Sequence, residues 1–342
     1  SAAVVSQKAY EADPEAFGNN PTCSGAFLVE SFKRGEKLVL VANDNYWGGR
    51  PNLDKVEMLY VPEGNSRVIG LKSGDYDVIT GVPFSQAKSI ASTSGLNLET
   101  KTVFKLEYVY LNHDAAPINN KDVRLALNYA KNHDAIMKAV YFGYGEKPNS
   151  FNPKMSFHDP SVEPIPYDMD KAKELVAKSY DGTKIELNID AGNSASKQIA
   201  TILQQGWTEA GLNVEIVEAD GGTNWGNITK GDYQATVSYI TSDINDDDEL
   251  AILQADYTGG ANAFFTNYNN PEVTTILRQA REASAPADRA KLYSQAQEIV
   301  LWDGYSVPLN YTPAMNGFAD HVQGWRNLTT GWWWLKDVWL DK

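Results

Sequence analysis

The chain has 342 residues, of which 42% are hydrophobic, and this length predicts about two domains with a substantial core. Its formal net charge is −14, and no Lys/Arg cluster stands out beyond "KRGEK", which excludes the basic footprint of a nucleic-acid-binding protein. The same charge opposes an acidic membrane surface, and no apolar stretch approaches the ~20 residues of a membrane span. The single cysteine, Cys23, excludes an intramolecular disulfide and every metal motif built on paired cysteines.

The first hundred residues read as an α/β region. Alternating hydrophobic residues in "KLVLVAND" and "DKVEMLYVP" predict two strands on either side of the turn-rich "NYWGGRPNL". The segment "GNSRVIGLKSG" has helical spacing and ends at Gly74. Two short strands, "YDVIT" and "LNLETKTV", are predicted to follow it.

The middle of the chain begins with a strand, "EYVYLN", and an amphipathic helix, "NKDVRLALNYAKN", whose apolar residues fall on one face. Asp134 is predicted to cap the next helix, "AIMKAVYFG". The connection "GEKPNSFNPKMSFHDPSVEPIP" is long and rich in proline. A connection of this length usually has a function or wraps a surface.

A strand–helix–strand pattern follows the helix "DMDKAKELVAKSY". Strand "KIELNID", helix "SASKQIATILQQGWTEAG" and strand "NVEIVEA" predict a parallel pair with a right-handed crossover. One internal similarity links "LKSGDYDVIT" with "ITKGDYQATV", since both read as helix end, Gly-Asp-Tyr and strand. So short a match supports only a common way of ending a helix.

The C-terminal segment "GWRNLTTGWWWLKDVWLDK" is rich in tryptophan. Such residues form sugar-stacking platforms in some proteins, but they more often belong to a core or to a docked terminal segment. Docking is the interpretation we favour, because Leu335, Val338 and Leu340 are interleaved with the aromatic residues.

The most acidic stretch is "SDINDDDE", residues 242–249, with five carboxylates in eight residues. Asp243, Asn245 and Asp247 match positions 1, 3 and 5 of an EF-hand calcium loop. Position 6 requires Gly but holds Asp248, and position 12 requires Glu but holds Gln254. The sequence therefore argues against a dedicated calcium loop.

A helix start explains part of this acidity. In "DDDELAILQA", Asp247, Asp248 and Glu249 fall at a predicted helix N-terminus, where the helix dipole favours negative charge. We expect these three side chains to face solvent. Asp243 and Asp246 lie closer to the end of the preceding strand "YQATVSYI", so the helix start does not account for their presence.

No motif of a known enzyme class is present: there is no nucleophile elbow, P-loop, dinucleotide fingerprint or zinc-protease helix. The four histidines, His113, His133, His158 and His321, lack ligand spacing and are interpreted as surface or cap residues. The sequence thus indicates no catalytic residue, no metal site and no cofactor. A carboxylate pair for glycoside hydrolysis stays open, because 44 acidic residues offer many pairs and nothing selects one.

Four segments, in this order along the chain, resemble the oligopeptide- and dipeptide-binding family of extracytoplasmic solute-binding proteins of ABC transporters. They are "SGAFLVESFKRGEKLVLVANDNYWGGRPNLDKVEMLYVPEGNSRVIGLKSGDYDV", "VRLALNYAKNHDAIMKAVYFGYGEKPNSFNP", "DMDKAKELVAKSYDG" and "RAKLYSQAQEIVLWDGYSVPLNY". The resemblance runs from about residue 20 to the end. Cys23 stands where the family usually has Gly, and Asp247 stands where Pro commonly follows an Asp.

The resemblance implies a two-lobed α/β fold of the type II periplasmic-binding-protein class, lacking the family's first segment at the N-terminus. Residues 1–105 would form the remaining part of the first lobe, residues 106–308 the second lobe, and residues 309–342 would return to the first. The expected motion is closure around a ligand. Cys23 would be a structural replacement for Gly.

The resemblance also implies a function. The chain would be the ligand-binding subunit of an ABC importer, without catalysis, partnered by a membrane permease and located outside the cytoplasm, in the periplasm or as a lipoprotein whose anchor lies outside this chain. In the family's peptide binders, a strand end pairs with the peptide backbone, and an Asp receives the α-amino group. Tyr239, Ile240 and Thr241 would supply the strand, with Asp243 as the amine receptor and Asp246 as second choice.

Two alternatives stay open at this stage. The same family includes binders of non-peptide solutes, such as an oligosaccharide or a nickel chelate. The tryptophan content favours a sugar, while the scattered histidines argue against nickel. The other alternative, from a different functional class, is a carboxylate-dependent hydrolase.

Overall fold

The computed structural model describes residues 5–19, 21–259 and 265–341. Its helices, in chain order, are α1 Gln7–Ala12, α2 Pro14–Asn19, α3 Gly64–Ser73, α4 Ala87–Ala91, α5 Lys121–Tyr129, α6 His133–Ala139, α7 Met169–Ser179, α8 Ser194–Glu209, α9 Gly221–Lys230, α10 Asp247–Ala255, α11 Pro271–Glu282 and α12 Pro286–Trp302. Its strands are β1 Phe27–Lys33, β2 Lys37–Ala42, β3 Lys55–Leu59, β4 Val78–Thr80, β5 Leu96–Lys101, β6 Lys105–Leu111, β7 Ile185–Asp190, β8 Val214–Ala219, β9 Ala235–Thr241, β10 Ser306–Tyr311, β11 Ala314–Ala319, β12 Val322–Gln323 and β13 Trp339–Leu340. No helix of the described residues is both long and apolar enough to span a bilayer.

The chain divides into two compact units. Unit 1 comprises Ser1–Lys101 and Ala314–Lys342, and unit 2 comprises Thr102–Pro313. The lobe boundaries predicted at residues 105 and 308 fall inside β6 and β10. These two strands pair with one another, and each lies entirely within unit 2.

Unit 2 is built on a five-stranded mixed sheet in the order β10-β6-β9-β7-β8. The predicted parallel pair is confirmed, since β7 pairs with β8 in parallel from Ile185 opposite Val214 to Asp190 opposite Ala219. Strand β7 also pairs in parallel with β9, whereas β6 is antiparallel to both β9 and β10. Helices α8 and α9 therefore both begin at the carboxyl ends of parallel strands, where α/β sheets usually bind ligands.

The core of unit 2 lies between the sheet and α10–α12, and it contains several tyrosines. Tyr108 and Tyr110 on β6 are fully buried, with ring centroids 4.5 Å apart in an edge-to-face arrangement. The Tyr108 hydroxyl donates to Oε1 of Gln254 on α10 over 3.0 Å. Gln254 in turn donates to Asn152, which lies in the proline-rich connection. This connection thus wraps onto the core, as its length suggested.

Unit 1 contains three small antiparallel sheets, β1-β2-β3, β4-β11-β5 and β12-β13. The tryptophan-rich segment docks through β13, which pairs with β12, and through Val338, which is buried. One tryptophan contributes to the docking: Trp325 is half-buried, donates from Nε1 to Glu99 over 3.1 Å and lies against Phe318, with ring centroids 6.5 Å apart. Trp332, Trp333, Trp334 and Trp339 remain exposed.

The repeated Gly-Asp-Tyr sequence corresponds to the same local geometry in the two units. Gly74 ends α3 and Gly231 ends α9, with φ of 82° and 72°, values that favour glycine. In each case the N–H of the following aspartate donates over 2.9 Å to a carbonyl in the last turn of the helix. This is a common helix stop, and it directs the chain from α9 into β9. Asn132, not the predicted Asp134, caps α6.

Candidate functional site

Strand β9 has one edge that is only partly paired. Its ladder with β6 runs over its whole length, from Ala235 opposite Leu111 to Thr241 opposite Lys105. Its ladder with β7 includes only Ala235 and Thr236. Among the residues that the structure describes, the second half of β9 therefore has no neighbouring strand on the β7 side.

Backbone geometry shows which groups point to this open edge. In an antiparallel ladder, successive residues direct their N–H and C=O groups alternately to one side and the other. On the two sides of β9, the carbonyl of Gln234 accepts from the N–H of Asn112, directly after β6, and the N–H of Ser242 donates to the carbonyl of Phe104, directly before β6. The even-numbered residues between them face β6, and hence Tyr239 and Thr241 direct their backbone groups to the open edge.

A pocket of about 590 Å³ lies along this edge and belongs entirely to unit 2. Its wall is formed by the second half of β9, by the starts of α8 and α9, and by α10 and the beginning of β6. The lining residues are Lys105, Glu107, Asp190, Asn193, Ala195, Ser196, Ile199, Gly221, Asn224, Trp225, Ile228, Val237, Ser238, Tyr239, Ile240, Thr241, Glu249, Leu250 and Leu253.

One basic residue lines this pocket, and its charge is already compensated. Lys105 Nζ lies 2.7 Å from a carboxylate oxygen of Glu107 and 4.7 Å from the centre of the Tyr239 ring. The other Glu107 oxygen accepts from the Tyr141 hydroxyl. Burial raises the pKa of Tyr141 well above its usual value, so this hydroxyl keeps its proton and remains a donor.

Asp190 ends β7 at the carboxyl edge of the sheet. Its Oδ1 accepts from the N–H of Gly192 over 2.9 Å. A Cβ on Gly221 would stand 3.0 Å from Asp190 Oδ2, so glycine at this position allows the start of α9 to approach the carboxylate closely. Glu249 lies across the pocket on α10, where its Oε2 accepts from the Ser242 hydroxyl over 2.6 Å.

The three residues expected to offer a strand all line the pocket, but they do so in different ways. Tyr239 and Thr241 are exposed, and their backbone groups face the open edge. Ile240 is buried, and its backbone groups face β6. The expected backbone contribution of Ile240 is thus corrected: only its neighbours can pair with an added strand.

Asp243 and Asp246, the two expected amine receptors, have different surroundings. Asp243 follows the end of β9, two residues after Thr241, and is partly buried. Asp246 caps α10 by accepting from Asp248 N, and it accepts two hydrogen bonds from Arg289, at 2.7 and 2.8 Å. These bonds hold the pKa of Asp246 below its usual value. An arginine therefore already occupies the carboxylate of the second-choice receptor.

The predicted helix start is confirmed, because α10 begins at Asp247, but the predicted exposure of its first residues is wrong. Asp247 is only 4% exposed, and its Oδ2 accepts from the N–H of Phe157 over 2.8 Å. Burial raises the pKa of Asp247 to about 6. Asp248 pairs with Arg281, and Glu249 turns toward Ser242 and the pocket. Within the described ranges, no group of His, Cys, Asp and Glu is arranged to hold a metal ion.

Comparison with known proteins identifies the family. Residues 1–262 match the family described as "Bacterial extracellular solute-binding proteins, family 5 Middle". The chain belongs to this family. Heme-binding protein A of Haemophilus influenzae is 27% identical over 91% of this chain and 58% of its own length. The probable D,D-dipeptide-binding periplasmic protein DdpA of Escherichia coli is 27% identical over 92% of this chain and 62% of its own.

Solved structures show the same fold. DppA of Helicobacter pylori, an ABC transporter-associated periplasmic binding protein in complex with the peptide STSA, aligns with a TM-score of 0.90 at 24% identity, over 99% of this chain and 68% of that one. The oligopeptide-binding protein AppA of Bacillus subtilis, in complex with a nonapeptide, aligns at 0.85 with 21% identity, over 99% and 72%. NikA of Staphylococcus aureus, in complex with Ni(L-His)2, aligns at 0.80 with 22% identity, over 92% and 68%. The mixed α/β fold is thus that of type II periplasmic binding proteins. The chain spans about three fifths of the length of the first curated relatives it matches.

Sequence reasoning missed several residues of the pocket, among them Asp190, Ser196 and Trp225. One local signal was available, because "NIDAGNS" places an acid at the end of a predicted strand, directly before Gly and a helix cap. Nothing local to Trp225 indicates that a helix residue lines the same pocket as β9.

Proposed function

We propose that this chain captures an extended peptide at the open edge of β9, as the binding component of an ABC importer outside the cytoplasm. The observation that carries the proposal is the unpaired edge, where Tyr239 and Thr241 direct backbone groups toward the pocket. Peptides that bind as an added strand gain main-chain hydrogen bonds from such an edge and specificity from the adjacent pockets. The chain carries out no catalysis, and its macromolecular partner is a membrane permease.

Asp243 receives the α-ammonium group of the peptide. Its position supports this role, since it lies directly beyond the strand end at which an added strand would begin or finish. An ammonium group taken out of water requires a carboxylate partner. Asp246 is unsuited because Arg289 already binds both of its oxygens.

Calorimetry with a four-way cycle tests this assignment. Asp243→Asn preserves shape and removes the charge, and N-acetylation of the peptide removes the ammonium. Each single change should weaken binding by on the order of 2–5 kcal/mol, and the double change little more than either. Asp232→Asn is the matched control, because Asp232 is an exposed aspartate at the opposite end of β9. Additive losses would show that Asp243 does not meet the amine.

An oligosaccharide is the second candidate ligand, favoured by two aromatic rings in the pocket wall. Trp225 and Tyr239 are 47% and 57% exposed, and flat rings of this kind stack on sugars. Differential scanning calorimetry with oligosaccharides and with peptides distinguishes the two candidate ligands. Stabilisation of the protein by sugars alone would favour the oligosaccharide.

A further inference from the structure

The pocket beside β9 carries an excess of negative charge. Of the described residues that line it, Glu107, Asp190 and Glu249 are acidic and Lys105 alone is basic, which leaves a net charge of −2. Lys105 is already paired with Glu107. In the part of the chain that the structure describes, no lysine, arginine or histidine forms an ion pair with Asp190 or Glu249. Two carboxylates in a concave wall thus lack a positive partner.

The helix starts in the pocket wall do not make it a site for anions. The first-turn N–H groups of α8 donate to Asn193, which accepts from both Ala195 and Ser196. Those of α9 donate to Asp220, which accepts from Gly222 and Thr223. Helix N-termini bind anions through free N–H groups, and these groups are already occupied by the cap side chains.

A buried hydroxyl in the same wall has unused hydrogen-bonding capacity. Ser196 lines the pocket and is only 7% exposed, and no described residue bonds to its side-chain hydroxyl. The oxygen of this hydroxyl is not fully enclosed by the protein, so a ligand in the pocket can reach it. Because the hydroxyl is also an acceptor, it can receive an N–H from a cationic group held by Asp190.

An aromatic ring completes the environment. Trp225 on α9 lines the pocket and is about half exposed, and it meets Phe265 edge-on with ring centroids 5.9 Å apart. Tryptophan is the side chain that cations prefer to stack on. Of the cations found in peptides, guanidinium combines a flat stacking face with several donors that match a carboxylate.

We propose that this pocket receives an arginine side chain of the ligand, with Asp190 as the specificity-determining carboxylate and Trp225 as the stacking ring. The proposal rests on the proposed function in taking the ligand to be a peptide. Glu249 contributes charge from the opposite wall, and Ser196 accepts one of the remaining N–H groups. Lysine fits the charge but neither the stacking nor the paired donors.

The test uses N-acetyl-arginine amide, which presents the guanidinium without peptide termini, and N-acetyl-citrulline amide, its neutral isostere. The indole N–H resonances of the whole chain are followed by NMR during titration, and Trp225→Phe identifies the Trp225 signal. We expect the arginine probe to shift the resonance of Trp225 saturably, and the citrulline probe to bind at least about ten-fold more weakly. Asp190→Asn should abolish this preference, while retaining an oxygen to accept from Gly192 N. Asp232→Asn should leave it intact.

Equal responses to the two probes, or an arginine response that survives Asp190→Asn in a folded protein, would overturn the proposal. No displacement of the Trp225 signal at any probe concentration would overturn it as well. These outcomes are independent of the peptide cycle at Asp243. If peptides bind without a preference for arginine over citrulline, only the present inference fails. If capped arginine binds and peptides do not, only the proposed function fails.

Discussion

Arg289 binds Asp246 through two parallel hydrogen bonds, Nη1 to Oδ2 at 2.8 Å and Nη2 to Oδ1 at 2.7 Å. The guanidinium also lies over the ring of Phe157, 4.6 Å from its centre. The same carboxylate caps α10. One side chain thus joins α12, the start of α10 and the proline-rich connection, directly beyond the strand that forms the candidate site.

The first prediction concerns the stability of this junction. Asp246→Asn keeps an acceptor for the cap but removes the charge, and should cost about 1 kcal/mol of unfolding free energy, whereas Asp246→Ala should cost about 2 kcal/mol. Arg289 makes the pKa of Asp246 lower in the folded protein than in the unfolded chain. The stabilisation is therefore fully present at a pH above the pKa of the unfolded chain, and it is lost as the pH falls through the pKa of the folded protein. Urea unfolding at pH 7 measures both variants. If Ala and Asn cost no more than Asp232→Ala, Asp246 is a surface charge only.

The second prediction concerns Asp247, whose pKa burial raises from 3.8 to about 6. Between these values the folded state binds more protons than the unfolded state, so stability falls as the pH rises from about 4 to above 6. Asp247→Asn can still accept from Phe157 N. It should remove this pH dependence and raise the unfolding free energy at pH 7 by on the order of 2 kcal/mol. Unfolding curves across pH 4–8 measure the effect, with Asp232→Asn as control. A destabilised variant with unchanged pH dependence would contradict the raised pKa.

These acidic residues show how far local sequence reasoning extends. The helix start at Asp247 was predictable, because acids before an apolar periodic run are a local pattern. The partners of the acids were not, since Asp246 meets Arg289 and Asp247 meets Phe157, both distant in sequence. Burial of Asp247 results from the proline-rich connection packing on α10, and no periodicity in either segment encodes that contact.

The strands show a similar division. Alternation of apolar residues predicted β7 and β8, and the helix between them required a parallel pair. The open edge of β9 depends instead on where its ladder with β7 stops, at Thr236. That stopping point is a property of strand register and of the sheet's geometry. The resemblance indicated residues 239–241, but only the register separates Tyr239 and Thr241 from Ile240.

The third prediction concerns strand addition at this edge. If the peptide binds to Tyr239 and Thr241 as a strand, its own N–H groups should alternate between bonded and free. Peptides N-methylated at single successive positions should therefore lose affinity with a period of two, by about ten-fold or more at alternate positions. Calorimetry of the series measures the pattern, and each peptide serves as control for its neighbour. A uniform loss, or one that decreases steadily along the peptide, would argue against an added strand.

The fourth prediction concerns Lys131, a buried lysine whose side-chain nitrogen Nζ donates to the carbonyl of Pro308 over 2.6 Å. Burial, together with the charge of Lys147, lowers the pKa of Lys131 from 10.5 to about 7. Between these values the unfolded state carries the proton and the folded state does not. The unfolded state then binds more protons, and stability rises with pH across this window.

Lys131→Met fills the same space without a charge to desolvate. At pH 7 it should raise the unfolding free energy by roughly 2–4 kcal/mol, after allowing for the lost bond to Pro308. The advantage over the native chain should shrink as the pH rises from 7 toward 10, because only the native lysine gains stability there. Lys138→Met, at an exposed position on α6, is the matched control. Thermal unfolding across this pH range measures the difference. If Lys131→Met were more stable than the native chain by the same amount at every pH, the gain would come from packing, because the packing of methionine does not depend on pH.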